Sequence, residues 1–298
     1  MGNRAVVCIS RPKSCLEPTI LVEISMHQRS GSNVKEILSQ TSHRPWPLSP
    51  NAWTMTQRWN DLLFAHWPVP VSEIAQLIPS GLSVDTFDGS AWVGITPFWM
   101  DRIRLRGMPL IPGANRFPEL NLRTYVRERH SNFPGVFFFS LDAANPAAVL
   151  AARTIFKLPY YWAHMRIETK DDRVFHYQST RLLTLKDVRF RATYRSLCQP
   201  STKGGLESFL TERYCLYTTD KHGTIYRGNI HHLPWPLEMA EAEIDINELP
   251  QAHGIRLPDT KPLFHYAREL VVYIWELELL PALSKHSAAA PVPVVKPL

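Results

Sequence analysis

The sequence predicts a mainly β protein of the α+β class, an antiparallel barrel or sandwich with a few short helices at its edge. Two observations carry this: apolar-rich runs recur in pairs around turn signals, and helical periods are short and few. In chain order, the dense apolar and aromatic texture begins at Met55 with "MTQRWNDLLFAHWPVP", and "SEIAQLI" follows as a short helix. "LSVDTFDGSAWVGITPFWM" places Asp88-Gly89 between two apolar runs, a hairpin signal because the turn needs positive φ. "PELNLRTYVRER" and "GVFFFSLDA" read as strands. A helix then begins at Pro146, with Asn145 as N-cap and proline in the first turn, and runs through "PAAVLAARTIF". "HMRIETKDDRVFHYQST" is a second hairpin turning around Lys170 to Asp172, and "RYCLYTTDKHGTIYRGNIHH" a third with Gly223 in the turn. "VRFRATYR" and "PLFHYARELVVYIWELEL" add two more strands.

The ends differ from this body. Residues 1–54 hold one short apolar patch and then a loop-like mixture of Ser, Asn, Pro and His, so they are expected to be a disordered extension or to follow from a misassigned start, with Met55 near the natural one. They lack the Arg-rich amphipathic period of an organelle signal. Residues 55–284 are expected to form a single domain, and 285–298, rich in Ala, Pro and Val, a flexible tail.

The composition, with 45% apolar residues, suits a globular protein with a full core. No apolar run reaches the ~18 to 20 residues that span a bilayer, so the cytoplasm is the expected location and no membrane partner is expected. The formal charge of +6 divides evenly, +3 on residues 1–54 and +3 on the remaining 244, without a dense basic run, which argues against a nucleic-acid partner. Cys8, Cys15, Cys198 and Cys215 have no metal-like spacing, and the two in the body read as reduced, packed thiols. His231 and His232, adjacent on a strand, point to opposite faces, and no nucleotide or metal motif is present, so no metal and no cofactor are expected.

Three stretches could carry chemistry. In "PELNLRTYVRER" the odd positions are Glu119, Asn121, Arg123, Tyr125 and Arg127, while Leu120, Leu122, Thr124 and Val126 are even; one strand face is polar, the other mostly apolar. In an ordinary sheet the polar face is wet; in a barrel it lines a cavity suited to an oxygen-rich ligand. In "GVFFFSLDA" parity places Phe137, Phe139 and Leu141 on one face and Val136, Phe138, Ser140 and Asp142 on the other, with Asp142 a capping or turn carboxylate. On the helix, Val149, Ala152, Arg153 and Phe156 share a face, which places Arg153 among apolar neighbours. It then needs a carboxylate, Glu119 or Asp142, as a structural pair or as part of a substrate clamp.

The strings "RWNDLLFAHWPVP", "DTFDGSAWVGITPFWM", "FPELNLRTYV", "PGVFFFSLDA", "ARTIFKLPYY", "TERYCLYT" and "IHHLPWPLEMAEAEI" resemble the YqjF-like family of bacterial proteins of unknown function, over Met55 to about Leu280. That family in turn resembles a distant branch of the acetoacetate-decarboxylase-like superfamily, which implies a cone-shaped antiparallel barrel around a central cavity. In acetoacetate decarboxylases an Arg-Glu pair on a helix precedes an aromatic-Gly-Phe-Pro-Lys-Lys sequence whose first lysine forms the Schiff base. The resemblance places Arg153 on the arginine, Thr154 on the glutamate, Pro159 on the proline, and Tyr160 and Tyr161 on the two lysines; Glu119 takes the place of the cavity glutamate.

A phenol cannot form an iminium, so Schiff-base decarboxylation is not expected, whereas a tyrosine can polarise a carbonyl or act as a general acid. The alternative is that Tyr160 and Tyr161 merely alternate between core and surface. The expected function is therefore binding, with or without transformation, of a small carbonyl or carboxylate compound by Glu119, Asn121, Arg123, Tyr125, Arg153 and Tyr160. The alternative is a non-enzymatic sensor or interaction protein. The sequence is compatible with a homo-oligomer.

Overall fold

The computed structural model describes residues 34–109, 116–170, 173–202 and 204–281. After a helical turn α1 (Val34–Ser39), the chain forms β1 (Met55–Val69), α2 (Val71–Ala75), β2 (Leu82–Val84), β3 (Ala91–Leu105), β4 (Phe117–Glu128), β5 (Pro134–Ala143), α3 (Pro146–Ile155) and β6 (Tyr160–Lys170). It continues through β7 (Val174–Arg181), β8 (Arg189–Pro200), α4 (Gly205–Thr211), β9 (Cys215–Thr219), β10 (Ile225–His231), β11 (Leu237–Asn247), α5 (Leu249–Ala252) and β12 (Leu263–Leu279). The protein is thus mostly β with a few short helices. The expected hairpins β6–β7 and β9–β10 form, Gly223 adopting φ +79° in the second turn. The centre of the first turn, residues 171 and 172, lies outside the described residues, as do residues 1–33 and the tail from 285.

The strands join in the order β10-β9-β5-β6-β7-β8-β11-β12-β1-β3-β4-β2, and further β4–β5 and β10–β12 pairings turn the sheet back on itself. The β4–β5 pairing closes a ring of nine strands. The ring is uneven, since β5–β6 and β11–β12 are joined over three residue pairs each. The sheet is not wholly antiparallel: β5 runs parallel to both β6 and β9. The physical cause of the first is α3, a crossover that returns the chain to the end from which β5 started. Asn145 caps that helix as expected, its side chain accepting from the backbone N–H of Ala147 and Ala148.

The Asp88-Gly89 turn has φ of +48° and +77°, as its sequence demands, but it closes a single bridge, Phe87 to Ser90. The strand before it leaves at once for β4, pairing Leu82 with Glu128, so the expected hairpin does not extend.

Both faces of β1, β3 and β4 are buried, each against its own core. Leu62, Phe64, Phe98, Tyr125 and Leu141 belong to one cluster, and Leu63, Ala65, Leu120, Leu122 and Phe139 to the other. Three departures from strict alternation set which residues reach the first core. Asp61 (φ +50°) and Arg102 (φ +49°) sit at irregular registers between β1 and β3. In β5 the pairing skips Phe139, which separates Phe138 from Ser140.

Residues 34–54 pack against the sheet, in contrast to the extension expected there. Ile37 and Trp53 are buried with Tyr273 and Trp275. Arg44 donates to the Ile230 carbonyl at 2.8 Å and lies over the Tyr214 ring. The thiol of Cys215 is free and buried, and burial pushes it up to about 12. Cys198, expected to be reduced, is disulfide-bonded. No helix among the described residues is long and apolar enough to cross a membrane.

Candidate functional site

The first core is hollow. A cavity of about 420 Å³ is walled by the odd residues of β4, by β1, β3 and β5, and by one face of α3. Its wall is mostly apolar, and the exceptions are concentrated. On β4, Phe117, Glu119, Asn121 and Arg123 succeed one another along one face at about 6.7 Å per step. Thr96 lies opposite Asn121, and Gly94 opposite Arg123. Tyr125, the next in that row, stands behind the wall: its hydroxyl donates to the Leu210 carbonyl at 2.8 Å and lies 2.7 Å from His66 Nε2.

Arg123 is buried and makes no ion pair with a carboxylate among the described residues. Its Nη2 donates to the Leu210 carbonyl at 3.2 Å and to the Tyr125 hydroxyl at 3.4 Å, its Nε has no partner, and the guanidinium lies 5.3 Å from the centre of the Phe64 ring. Arg213, also on the cavity wall, donates to Asp85 Oδ2 at 2.6 Å; the same carboxylate receives Arg127 Nε at 2.7 Å. Around this end of the cavity one carboxylate therefore serves two guanidiniums, and Arg123 has none.

Glu119 does not redress the balance. Burial pushes its carboxyl up to about 8, against the opposing pull of Tyr160 and Asn121 and with help from the charge of Asp142, so at neutral pH it is mostly a neutral acid. The Tyr160 hydroxyl donates to Glu119 Oε2 at 2.7 Å, and burial together with that carboxylate raises the phenol well above its ordinary value. Tyr160 thus faces the cavity from the start of β6, just beyond Pro159. No lysine lines the cavity among the described residues; Lys157, with φ +50°, instead holds its ammonium over the Tyr226 ring.

Arg153 is not part of this group. Its side chain is exposed, donates to the Tyr160 carbonyl at 2.7 Å, and leaves the cavity face of α3 to Ala148, Ala151, Ala152, Ile155 and Phe156. Neither carboxylate expected for it is its partner. Asp142 is wholly buried against Arg181, whose Nε donates to it at 2.8 Å while Nη2 donates to Ser140 Oγ at 2.5 Å. Asp142 is therefore a core ion-pair member and not a cap. The skipped Phe139 explains the error in parity: Val136, Phe138 and Leu141 face the cavity, and Ser140 and Asp142 face away. Tyr161 also faces away, its ring 4.1 Å from the Arg181 guanidinium. His232 lines the cavity, whereas His231 bonds to the Ile37 carbonyl, so the two do diverge.

Several residues of the site were not singled out by sequence. Thr96, Arg213 and Trp235 reach the wall from separate elements. Gly94 did leave a signal, an isolated glycine inside a strand. A Cβ there would lie 2.9 Å from the His66 ring and 3.4 Å from Arg123, so its absence gives both side chains their room.

Solved structures with this fold include acetoacetate decarboxylase from Legionella pneumophila, with a TM-score of 0.54 and 11% identity over 82% of this chain and 95% of that one. The enduracididine biosynthesis enzyme MppR complexed with pyruvate has a TM-score of 0.53 and 11% identity over 79% and 94%. An acetoacetate decarboxylase-like enzyme from Sphingomonas wittichii has a TM-score of 0.53 and 12% identity over 78% and 98%. At such identities the likeness concerns the fold. The uncharacterized protein YqjF of Bacillus subtilis is 50% identical over 227 residues, 76% of this chain and 92% of that protein. Residues 56–271 match the pattern of DUF2071, described as an uncharacterized conserved protein, and the chain belongs to that family.

Proposed function

We propose that the strands around the cavity, β1, β3, β4, β5, β9, β10 and β12, act as a cone-shaped barrel that binds a small carboxylate, with or without a carbonyl, in that central cavity, and that they do so without Schiff-base chemistry. The observation that carries this is Arg123: a buried cation on the cavity wall, with no carboxylate paired to it among the described residues. An uncompensated buried charge costs several kcal/mol, and an anionic ligand relieves it. Two bonds to neutral oxygens hold the guanidinium in place while leaving its charge unmatched.

Glu119 and Tyr160 supply the remaining polarity. A protonated Glu119 can donate toward a ligand oxygen while accepting from Tyr160, the arrangement of a general acid held in a dry site. Amine condensation is closed because the position of the decarboxylase lysine is a phenol. The pyruvate bound to the MppR enzyme shows that a protein of this fold can hold a short keto acid.

The test is a thermal-shift screen of carboxylates and keto acids against the parent and Arg123→Met, with borohydride added in parallel. The proposal expects stabilisation of the parent by carboxylates, loss of that shift in the variant, and no borohydride-trapped adduct. A screen without any hit, or a lysine adduct with a keto acid, would sink it.

A further inference from the structure

We propose that the ligand is amphiphilic: a carboxylate whose head meets Arg123 and whose unbranched apolar tail of roughly seven to nine carbons runs out along the cavity toward Met108 and Ile155. This rests on the carboxylate reading above and adds the ligand class. The strand registers give the cavity a direction. On β3, Leu105 pairs with Met55 of β1, which pairs in turn with Ile274 of β12, and all three line the cavity at one end. Nine residues back along β3 the wall is Thr96, opposite Asn121 of β4, with Arg123 opposite Gly94 just beyond. The ionisable groups of β4, Glu119 and Arg123, thus stand toward the Thr96 end, and the Leu105 end is mainly hydrocarbon, with Gln57 beside Met55 as its polar member.

Burial runs the same way. Thr96 and Phe98 are sealed, Ile103 and Leu105 are half-buried, and Met108 and Ile155 are 49% and 56% exposed although both belong to the cavity wall. The polar end is the floor and the apolar end the mouth. Tyr125 and His66 close the floor behind Arg123.

Size makes the same point. At ~30 Å³ per water-sized group, a cavity of about 420 Å³ holds on the order of a dozen non-hydrogen atoms. A keto acid such as pyruvate fills about half of it and leaves the hydrocarbon wall wet. A straight-chain acid of eight to ten carbons fills it and covers the apolar lip. A longer acid places its extra methylenes in water.

The experiment is calorimetric titration of the full chain with pyruvate and with straight-chain carboxylates from butanoate to tetradecanoate, all below their micellar concentrations. The dissociation constant is expected to fall three- to fourfold per added methylene, the value for burial of a CH₂, and to level off near octanoate to decanoate. Ala152→Phe, which fills the tail end of the cavity, should bring that plateau two or three carbons earlier while butanoate binds as before. If pyruvate or butanoate binds as tightly as octanoate, or if the plateau does not move in Ala152→Phe, the amphiphilic ligand is refuted and the carboxylate site survives. If no carboxylate of any length binds, the site itself is refuted.

Discussion

Arg181 and Arg123 are both buried arginines of the same sheet, and their surroundings are opposite. Arg181, the last residue of β7, is 3% exposed and faces a wholly buried Asp142 on the side of β5 away from the cavity, with Ser140 accepting a further bond and Tyr161 stacked on the guanidinium. Among the described residues, Arg123, on the cavity side of β4, meets only neutral oxygens and the rings of Phe64 and Tyr125. A charge that belongs to the framework is neutralised by the framework. On the proposed function, the charge left unmatched on the cavity wall is the one a ligand matches, and the contrast sets a framework pair apart from the arginine proposed to bind.

Perturbing the two sides should produce effects of different size and kind. The largest is expected for Arg181→Met, which strands the buried Asp142: unfolding in urea at pH 7.5 should show a loss of about 3–5 kcal/mol, part of it recovered in the double variant with Asp142→Asn. Next comes Glu119. Its folded carboxyl titrates near 8 against an ordinary 4.5, so between these values the folded chain holds a proton that the unfolded chain has released. Stability then falls as pH rises through that window and levels off above it, by at most about 1.4 kcal/mol per pH unit. Denaturation curves from pH 6.5 to 8 should show that slope in the parent and not in Glu119→Gln; equal slopes would mean the carboxyl is ionised at neutral pH. Tyr160→Phe removes a bond that favours ionised Glu119, which should cost about 1 kcal/mol and push the Glu119 titration higher. The smallest effect on unliganded stability is expected for Arg123→Met, within about 1 kcal/mol, because removing an unmatched charge offsets the lost hydrogen bonds. A loss as large as that of Arg181→Met would erase the distinction between the two arginines.

Much of this was legible in the sequence because it is local. Asn145-Pro146 announces α3, Gly223 its hairpin, and the alternation of "ELNLRTY" places Glu119, Asn121 and Arg123 on one face. The limits appear where alternation breaks. Asp61, Arg102 and Phe139 each shift the parity of their strand, and only Asp61, of a residue type tolerant of positive φ, carries a local cue. The Asp142–Arg181 pair joins residues 39 apart, and Arg153 was misplaced because a 3-and-4 pattern does not say which edge of a helix stripe meets the wall. Residues 34–54 have no period of their own; they are held by Tyr273, Trp275 and Tyr214, far along the chain.

The central claim is that Arg123 answers the charge of a bound anion. The most direct measurement compares octanoate with 1-octanol, a neutral ligand of the same tail, by calorimetry on the parent and on Arg123→Met. The account predicts that the parent binds the carboxylate at least tenfold more tightly than the alcohol and that Arg123→Met abolishes the preference. Equal affinity of the parent for the two, or a preference that survives in the variant, would contradict it.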